Sequence, residues 1–224
     1  IKTRSLLAAY QEKLTISYID INSLYEFYAE EGYKLDLNFR KLSVLNDAIA
    51  VDEYQIQFQK LQVEYEREWL QVIATQSSDA IKKLTQREKM MAQSRFYRHY
   101  IESQPKNIRQ FVIVSDAFRY EIAQELAKRL KMIPNSKVLT DAMLASVPTY
   151  TAIGMASLLP QIGPMTLQAN KTICLDGMST NGIANREKIL QKANPDAVAL
   201  KLSEFMDLTT DEQRYEYIKG KKVV

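Results

Sequence analysis

Through the first hundred residues, apolar side chains recur every three or four positions. Leu7, Tyr10, Leu14, Tyr18, Ile21, Tyr25 and Tyr28 share one face of a predicted helix. After Gly32 the spacing of Leu35, Phe39, Leu42, Leu45 and Ile49 predicts a second. Phe58, Leu61, Tyr65, Trp69 and Val72 predict a third, with Asp52 as its N-cap. A fourth is expected after "QSSD" (76–79) and runs to about Gln104, carrying Met90, Phe96, Tyr97 and Tyr100. Before Pro105 there is no proline, and Gly32 is the only glycine, so little interrupts this region. The tyrosine stripes read as packing surface. His99 stands beside Arg98 with no cysteine or second histidine near it, so no metal role is expected for it.

The pattern changes after "ESQPKNIRQ". "FVIVSD" (111–116) is a continuous, β-branched apolar run, which predicts a strand buried on both faces. "FRYEIAQELAKRL" (118–130) returns to helical spacing through Tyr120, Ile122, Leu126 and Leu130. Further strands are expected over 138–145, within "KTICLDG" (171–177), over "AVALK" (197–201) and from "KKVV" onward. Helices are expected over 151–159, 185–193 and 211–219. Strand alternating with helix predicts an α/β fold, a mostly parallel sheet with helices on both faces, preceded by an all-helical N-terminal region. The expected division is 1–105 for the helical region and 106–224 for the α/β core, which is incomplete at its C-terminus.

Composition narrows the class. The 224 residues are 46% hydrophobic and 25% charged, an ordinary globular balance. No apolar run is long enough to span a bilayer, and no signal peptide is visible. The single cysteine, Cys174, rules out an intramolecular disulfide and fits a reducing cytoplasm. Net charge is +3, and neither half of the chain carries a basic excess, so direct nucleic-acid binding is not indicated. A start at Ile1 rather than methionine suggests a piece of a longer protein.

Two places invite chemistry. In open parallel sheets, ligands bind beyond the carboxyl ends of the strands, and Asp116 stands directly after "FVIVS". Its carboxylate is a metal ligand, a catalytic group or a cap for the following helix. In "VPTYTAIGMASLLP" (147–160), Pro148 favours an extended residue before it, and Thr149 and Thr151 stand at the mouth of a helix. Unpaired N–H groups and the positive dipole end attract anions there. A hydroxyl so placed can attack phosphorus if something activates it, and a metal held by Asp116 would serve. On spacing alone, either threonine as a plain helix cap is the simpler reading.

"VIVSDAFRYEIAQELAKRL", "SVPTYTAIGMASLLP" and "LDGMSTNGIANREKIL" together closely resemble the PglZ-domain family. "SYIDINSLYEFY" (17–28) is similar to the region preceding the core in PglZ proteins of BREX phage-defence systems. The resemblance implies the alkaline-phosphatase superfamily: a doubly wound α/β core, two divalent metals, usually zinc, and a metal-bound Ser or Thr nucleophile at a helix start. On that pattern Asp116 is a metal ligand, and Thr151 is both nucleophile and metal-bound, with Thr149 the second choice. Arg119 and Arg186 become candidates for a substrate phosphate, although surface ion pairing explains them as simply. Asp176 and Ser179, in the polar loop that runs through Thr180, Asn181 and Gly182, are candidates for lining the site or for an ordinary turn.

The family's remaining Asp and His ligands come later in its chains, whereas the one histidine here, His99, lies upstream. A divalent metal, zinc by resemblance, is therefore expected in the complete protein but not in this piece, which is expected to be inactive alone. The implied function is metal-dependent phosphoester hydrolysis in BREX anti-phage defence, with other proteins of the defence system as partners and no membrane. The alternative is a non-catalytic assembly or scaffolding subunit that keeps the phosphatase-like fold. A sulfatase or mutase on the same fold is a third reading.

Overall fold

The structure, a computed structural model, describes residues 2–15, 21–49, 51–83 and 91–224, with the backbone alone for 11–15. Its packing divides into two compact units, Ile1–Met90 with Ala117–Ala142, and Met91–Asp116 with Met143–Val224.

The first unit is helical: α1 (Lys2–Thr15), α2 (Ile21–Phe27), α3 (Tyr33–Ala48), α4 (Asp52–Tyr65), α5 (Gln71–Lys82) and α6 (Tyr120–Leu130). The stripe expected from Leu7 to Tyr28 is shared between α1 and α2; Tyr18 and the Leu14 side chain lie outside what is described. Gly32 does not break the second helix. It keeps helical angles (φ −57°, ψ −38°) in a wider π-type turn that joins α2 to α3. Its role is steric, because a Cβ there would come within 2.9 Å of Trp69 Cη2. A second π-type turn, Glu66–Leu70, joins α4 to α5 and presents Trp69 to the core. Asp52 opens α4 rather than capping it, with Val51 in the cap position.

Leu7, Tyr10, Leu35, Tyr65 and Trp69 form the buried core of this unit. A carboxylate lies within it. Asp36, 5% exposed, accepts hydrogen bonds from Tyr28 Oη (2.5 Å), Tyr65 Oη (2.8 Å) and Trp69 Nε1 (2.6 Å). Burying a charge is expensive unless hydrogen-bond donors compensate it, and these three side chains supply three. The tyrosines of the stripe therefore pack and also donate. Burial, then the neighbouring Asp36, pushes the Tyr28 and Tyr65 hydroxyls well above the usual tyrosine pKa. Ion pairs tie α6 to α3. Arg40 and Lys41 meet Glu125 at 2.6 and 2.8 Å, and their hydrogen bonds hold its pKa down to about 2.

The second unit departs further from the expected pattern. "QSSD" lies inside α5, which ends at Lys82, and Met90 falls outside the described residues. The expected fourth helix is replaced over 91–104 by an extended start, a 3-10 turn at Gln93–Arg95 and a π-type turn at Tyr97–Glu102. The named strands are Met165–Leu167 (β1), Ile173–Leu175 (β2) and Met178–Ser179 (β3), an antiparallel sheet in that order. A mostly parallel sheet is not what the described residues show.

Parallel pairing occurs as single bridges, Gln110 and Ala197 each with Val223, and Ala92 with Leu144. The segments 138–145 and 197–201 carry one bridge each and 111–116 none, so none of the three is a strand. Phe111 and Ile113, expected inside, point away from packed surface and are 58% and 77% exposed. Four helices complete the unit: α7 (Thr151–Leu158), α8 (Ile183–Ala193), α9 (Leu202–Met206) and α10 (Asp211–Ile218). α10 begins with a reciprocal capping box between Thr210 and Gln213. Leu159, Leu175 and Ile189 join α7, β2 and α8 in one apolar cluster. No helix of the described residues is long and apolar enough to cross a membrane.

Asp36→Ala would leave two buried hydroxyls and an indole N–H without their acceptor. It is expected to cost about 3 kcal/mol, read as a lower urea midpoint. The raised tyrosine pKa values set an alkaline limit. Their stabilisation is complete below the unfolded value of about 10 and is lost as pH rises towards the folded values. Unfolding followed from pH 9 to 12 should show stability falling above about pH 10, less steeply in Asp36→Asn. An unchanged profile in that variant would refute the coupling.

Candidate phosphoryl-transfer site

The segment before α7 is fixed at both ends. Leu144 and the 91–93 stretch pair backbone to backbone: the Gln93 N–H donates to Leu144 O and the Leu144 N–H to Met91 O, each at 2.9 Å. Two residues on, the Ser146 N–H donates to Gln93 Oε1 (3.1 Å), and the fully buried Ser157 of α7 donates its hydroxyl to Ser146 Oγ (2.7 Å). The chain then passes through a cis Val147–Pro148 peptide and exposed residues 147–150 into α7. Tyr150 occupies the cap position and no side chain caps the helix. The plain capping reading of Thr149 and Thr151 therefore fails. Thr151 is the first helical residue, and its hydroxyl goes elsewhere.

It goes to Asp116. The Thr151 hydroxyl donates to the carboxylate at 3.2 Å (Oδ2) and 3.4 Å (Oδ1). Asp116 is delivered by the run that pairs with the chain end: the Gln110 N–H donates to Lys222 O, the Val224 N–H to Gln110 O and the Val112 N–H to Val224 O. Directly after it, Ala117 adopts a left-handed φ of 54°, a conformation that costs a residue with a Cβ roughly 1 kcal/mol. Both side chains are exposed, so the hydrogen bond contributes little to stability, and its interest is chemical.

The other candidates are held differently. Arg119 faces the buried Glu121 at 3.2 Å within the helical unit, which is the ion-pair alternative. Arg186 donates from Nε to Thr180 O (2.9 Å). Ser179 lies in β3, and its Oγ accepts from the Asn181 N–H at 3.2 Å. Asp176, at the β2–β3 turn with φ 49°, lies 3.6 Å from Lys192 and donates its N–H to Pro164 O. These are the contacts of a turn and a helix start. Thr149 is exposed beside Pro148. His99 stacks edge-on against Tyr100. Gln93, Ser146 and Ser157 were not singled out in the sequence, since no spacing rule links residues 53 or 11 positions apart.

The donor set does not by itself fit a zinc ion. Among the described residues, no group of three or more His, Cys, Asp or Glu side chains comes together where it could hold a metal. A carboxylate and a neutral hydroxyl fall short of the three or four ligands that zinc takes from a protein.

Residues 96–224 match the family model of the BREX system PglZ alkaline phosphatase-like domain, more than half of the chain. The chain belongs to this PglZ family. It is 30% identical over 208 residues to the alkaline phosphatase-like protein PglZ of Bacillus cereus (strain H3081.97), an alignment covering 89% of this chain and 24% of that protein. It is 36% identical over 126 residues to the alkaline phosphatase-like protein BrxZ of Escherichia coli O9:H4 (strain HS), covering 54% of this chain and 14% of that one. This PglZ chain thus spans about a quarter or less of the length of these relatives. No solved structure matches it.

Close packing beside the β2–β3 turn generates a stability test. A Cβ at Gly163 would lie 2.6 Å from Asp176 Cβ, an atom that cannot swing aside. Gly163→Ala is expected to cost about 1–3 kcal/mol, measured by chemical denaturation. An unshifted midpoint would show that this turn yields freely.

Proposed function

We propose that this chain carries the nucleophile of a phosphoester hydrolase acting in BREX anti-phage defence. Thr151 is the reacting hydroxyl and Asp116 the carboxylate that holds it. The supporting observation is that hydrogen bond, made at the first residue of a helix that no side chain caps. A hydroxyl that only capped the helix would turn back to its own first-turn amides. Here the hydrogen is directed to a carboxylate, which leaves the oxygen lone pairs free to attack, and the positive end of α7 favours an approaching phosphate.

In the proposed reaction Thr151 Oγ bonds to phosphorus and gives up its proton, by way of the Asp116 carboxylate that accepts its hydrogen bond, to solvent. The bond from phosphorus to the leaving oxygen breaks, and that oxygen departs as an alcohol after gaining a proton. Water then hydrolyses the phosphothreonine ester, releasing phosphate where the substrate was a monoester and a phosphomonoester where it was a diester. The complete protein is proposed to use a divalent metal, zinc by family resemblance, which would acidify the hydroxyl. Asp116 and Thr151 would be two of its ligands, and the Asp and His residues that come later in the family's chains would be the others. A helical region preceding the phosphatase-like core, the cytoplasmic setting and the partnership with other defence proteins belong to the same proposal.

In the full-length protein, Thr151→Ala is expected to lower hydrolysis of a chromogenic phosphodiester by on the order of 10⁴-fold. Mass spectrometry of acid-quenched wild-type enzyme is expected to find the substrate's phosphoryl group, with its remaining ester substituent, on Thr151. Wild-type turnover retained in Thr151→Ala would sink this assignment, and a full-length protein with no turnover at all would favour the assembly subunit. The 224-residue chain alone is expected to hold well below one zinc per chain after dialysis, measured by elemental analysis. One retained zinc would show that the ligands have been misplaced.

A further inference from the structure

The geometry points to Gln93 as a positioning residue for Thr151, supplied from outside the matched family region, and we propose that its side chain sets where the reacting hydroxyl stands. This rests on the reading of Thr151 as nucleophile. Gln93 lies three residues before the family match begins at residue 96. It nonetheless makes two of the contacts that fix the approach to α7: its N–H holds Leu144 O, and its Oε1 accepts the Ser146 N–H at 3.1 Å. Its amide end also lies along α7, 3.8 Å from where a Cβ on Gly154 would stand.

Ser146 is therefore gripped twice, through its backbone by Gln93 and through its hydroxyl by Ser157 at 2.7 Å. Ser157 lies six residues beyond Thr151 in the same helix, and it is completely buried, so its hydroxyl must find a partner inside the protein. Residues 147–150 are exposed on both sides of the cis peptide and have little packing of their own to hold them. Their entry point is set at Ser146, and their exit is set by α7. Gln93 spans the two. Without the Oε1 acceptor one of the two grips on the entry point is lost and the Ser146 backbone is loosened, while α7 remains seated through Ala156, Ser157 and Leu159. The consequence is a displaced hydroxyl rather than an unfolded unit. A misplacement of about 1 Å at a reacting group costs roughly 100-fold in rate.

The test uses the full-length protein with Gln93→Leu, which keeps bulk and loses the acceptor, and Gln93→Glu, which restores an acceptor oxygen. Hydrogen exchange of the backbone amides at Ser146 and at 151–153 is measured beside steady-state kinetics. Gln93→Leu is expected to speed exchange at Ser146 by about fivefold or more and to disturb 151–153. It is expected to lower kcat roughly ten- to hundredfold while KM moves less than about twofold. Gln93→Glu is expected to bring the Ser146 exchange back towards wild type. Unchanged exchange at Ser146 in Gln93→Leu, or a loss confined to KM, would overturn the proposal. Exchange is read without turnover, so it judges the clamp even if Thr151→Ala proves fully active, a result that would sink the nucleophile and leave the clamp standing or falling by its own measurement.

Discussion

The second unit depends on one backbone requirement: the amides around Val223 must find acceptors. They find them on two segments far away in the chain. The Lys222 N–H reaches Asp196 O and the Val224 N–H reaches Gln110 O, while Val223 O and Lys222 O accept from Val198 and Gln110. Val223, Ala197, Tyr97 and Ile101 close over this junction as a buried cluster. An unpaired buried peptide group costs about as much as a lost hydrogen bond, so the three segments are fixed relative to one another. The run that leaves this junction at Val112 delivers Asp116 four residues later.

The helical unit answers to a different constraint, the burial of charge. Asp36 is affordable in an aromatic core because two phenols and an indole donate to it. Glu121, also fully buried, faces Arg119 and Arg40 rather than hydrogen-bond donors of good geometry. Removing one member of such a set leaves the rest uncompensated, which makes it costly to alter even where it contributes little net stability. The more exposed Glu125 contacts are screened by water and act mainly to align α3 with α6.

At the candidate site the order is reversed. The Asp116–Thr151 pair is exposed, weakly stabilising and held by well-packed supports beneath it: α7 on the Leu159, Leu175 and Ile189 cluster, and the Ser146 clamp on Gln93 and Ser157. This is the arrangement a reacting group needs, since the energy that positions it comes from residues that do not react.

Local patterning carried part of this in the sequence. The helical spacing of Tyr33–Ala48, Asp52–Tyr65, Tyr120–Leu130 and Ile183–Ala193 was legible because a helix satisfies its own backbone within one turn, so periodicity and propensity suffice. The three blocks around Asp116, Thr151 and Asp176 pointed to the PglZ family, and Asp116 and Thr151 stood out through their places at the end of an apolar run and the start of a helix. The strands were less legible. A β-branched run such as 111–116 states a preference, but a strand exists only where a neighbour supplies donors and acceptors, and here the neighbour ends its pairing at Val112. The antiparallel β1–β2–β3 sheet was missed for the same reason: Met165–Leu167 and Met178–Ser179 are too short to show a period, and only their register with Ile173–Leu175 defines them. Tertiary structure alone decided that Asp36 is buried among donors and that Gln93, 53 residues upstream, holds Ser146. Hydrogen bonds between residues distant in sequence depend on where folding puts both partners, and no pattern along the chain records that.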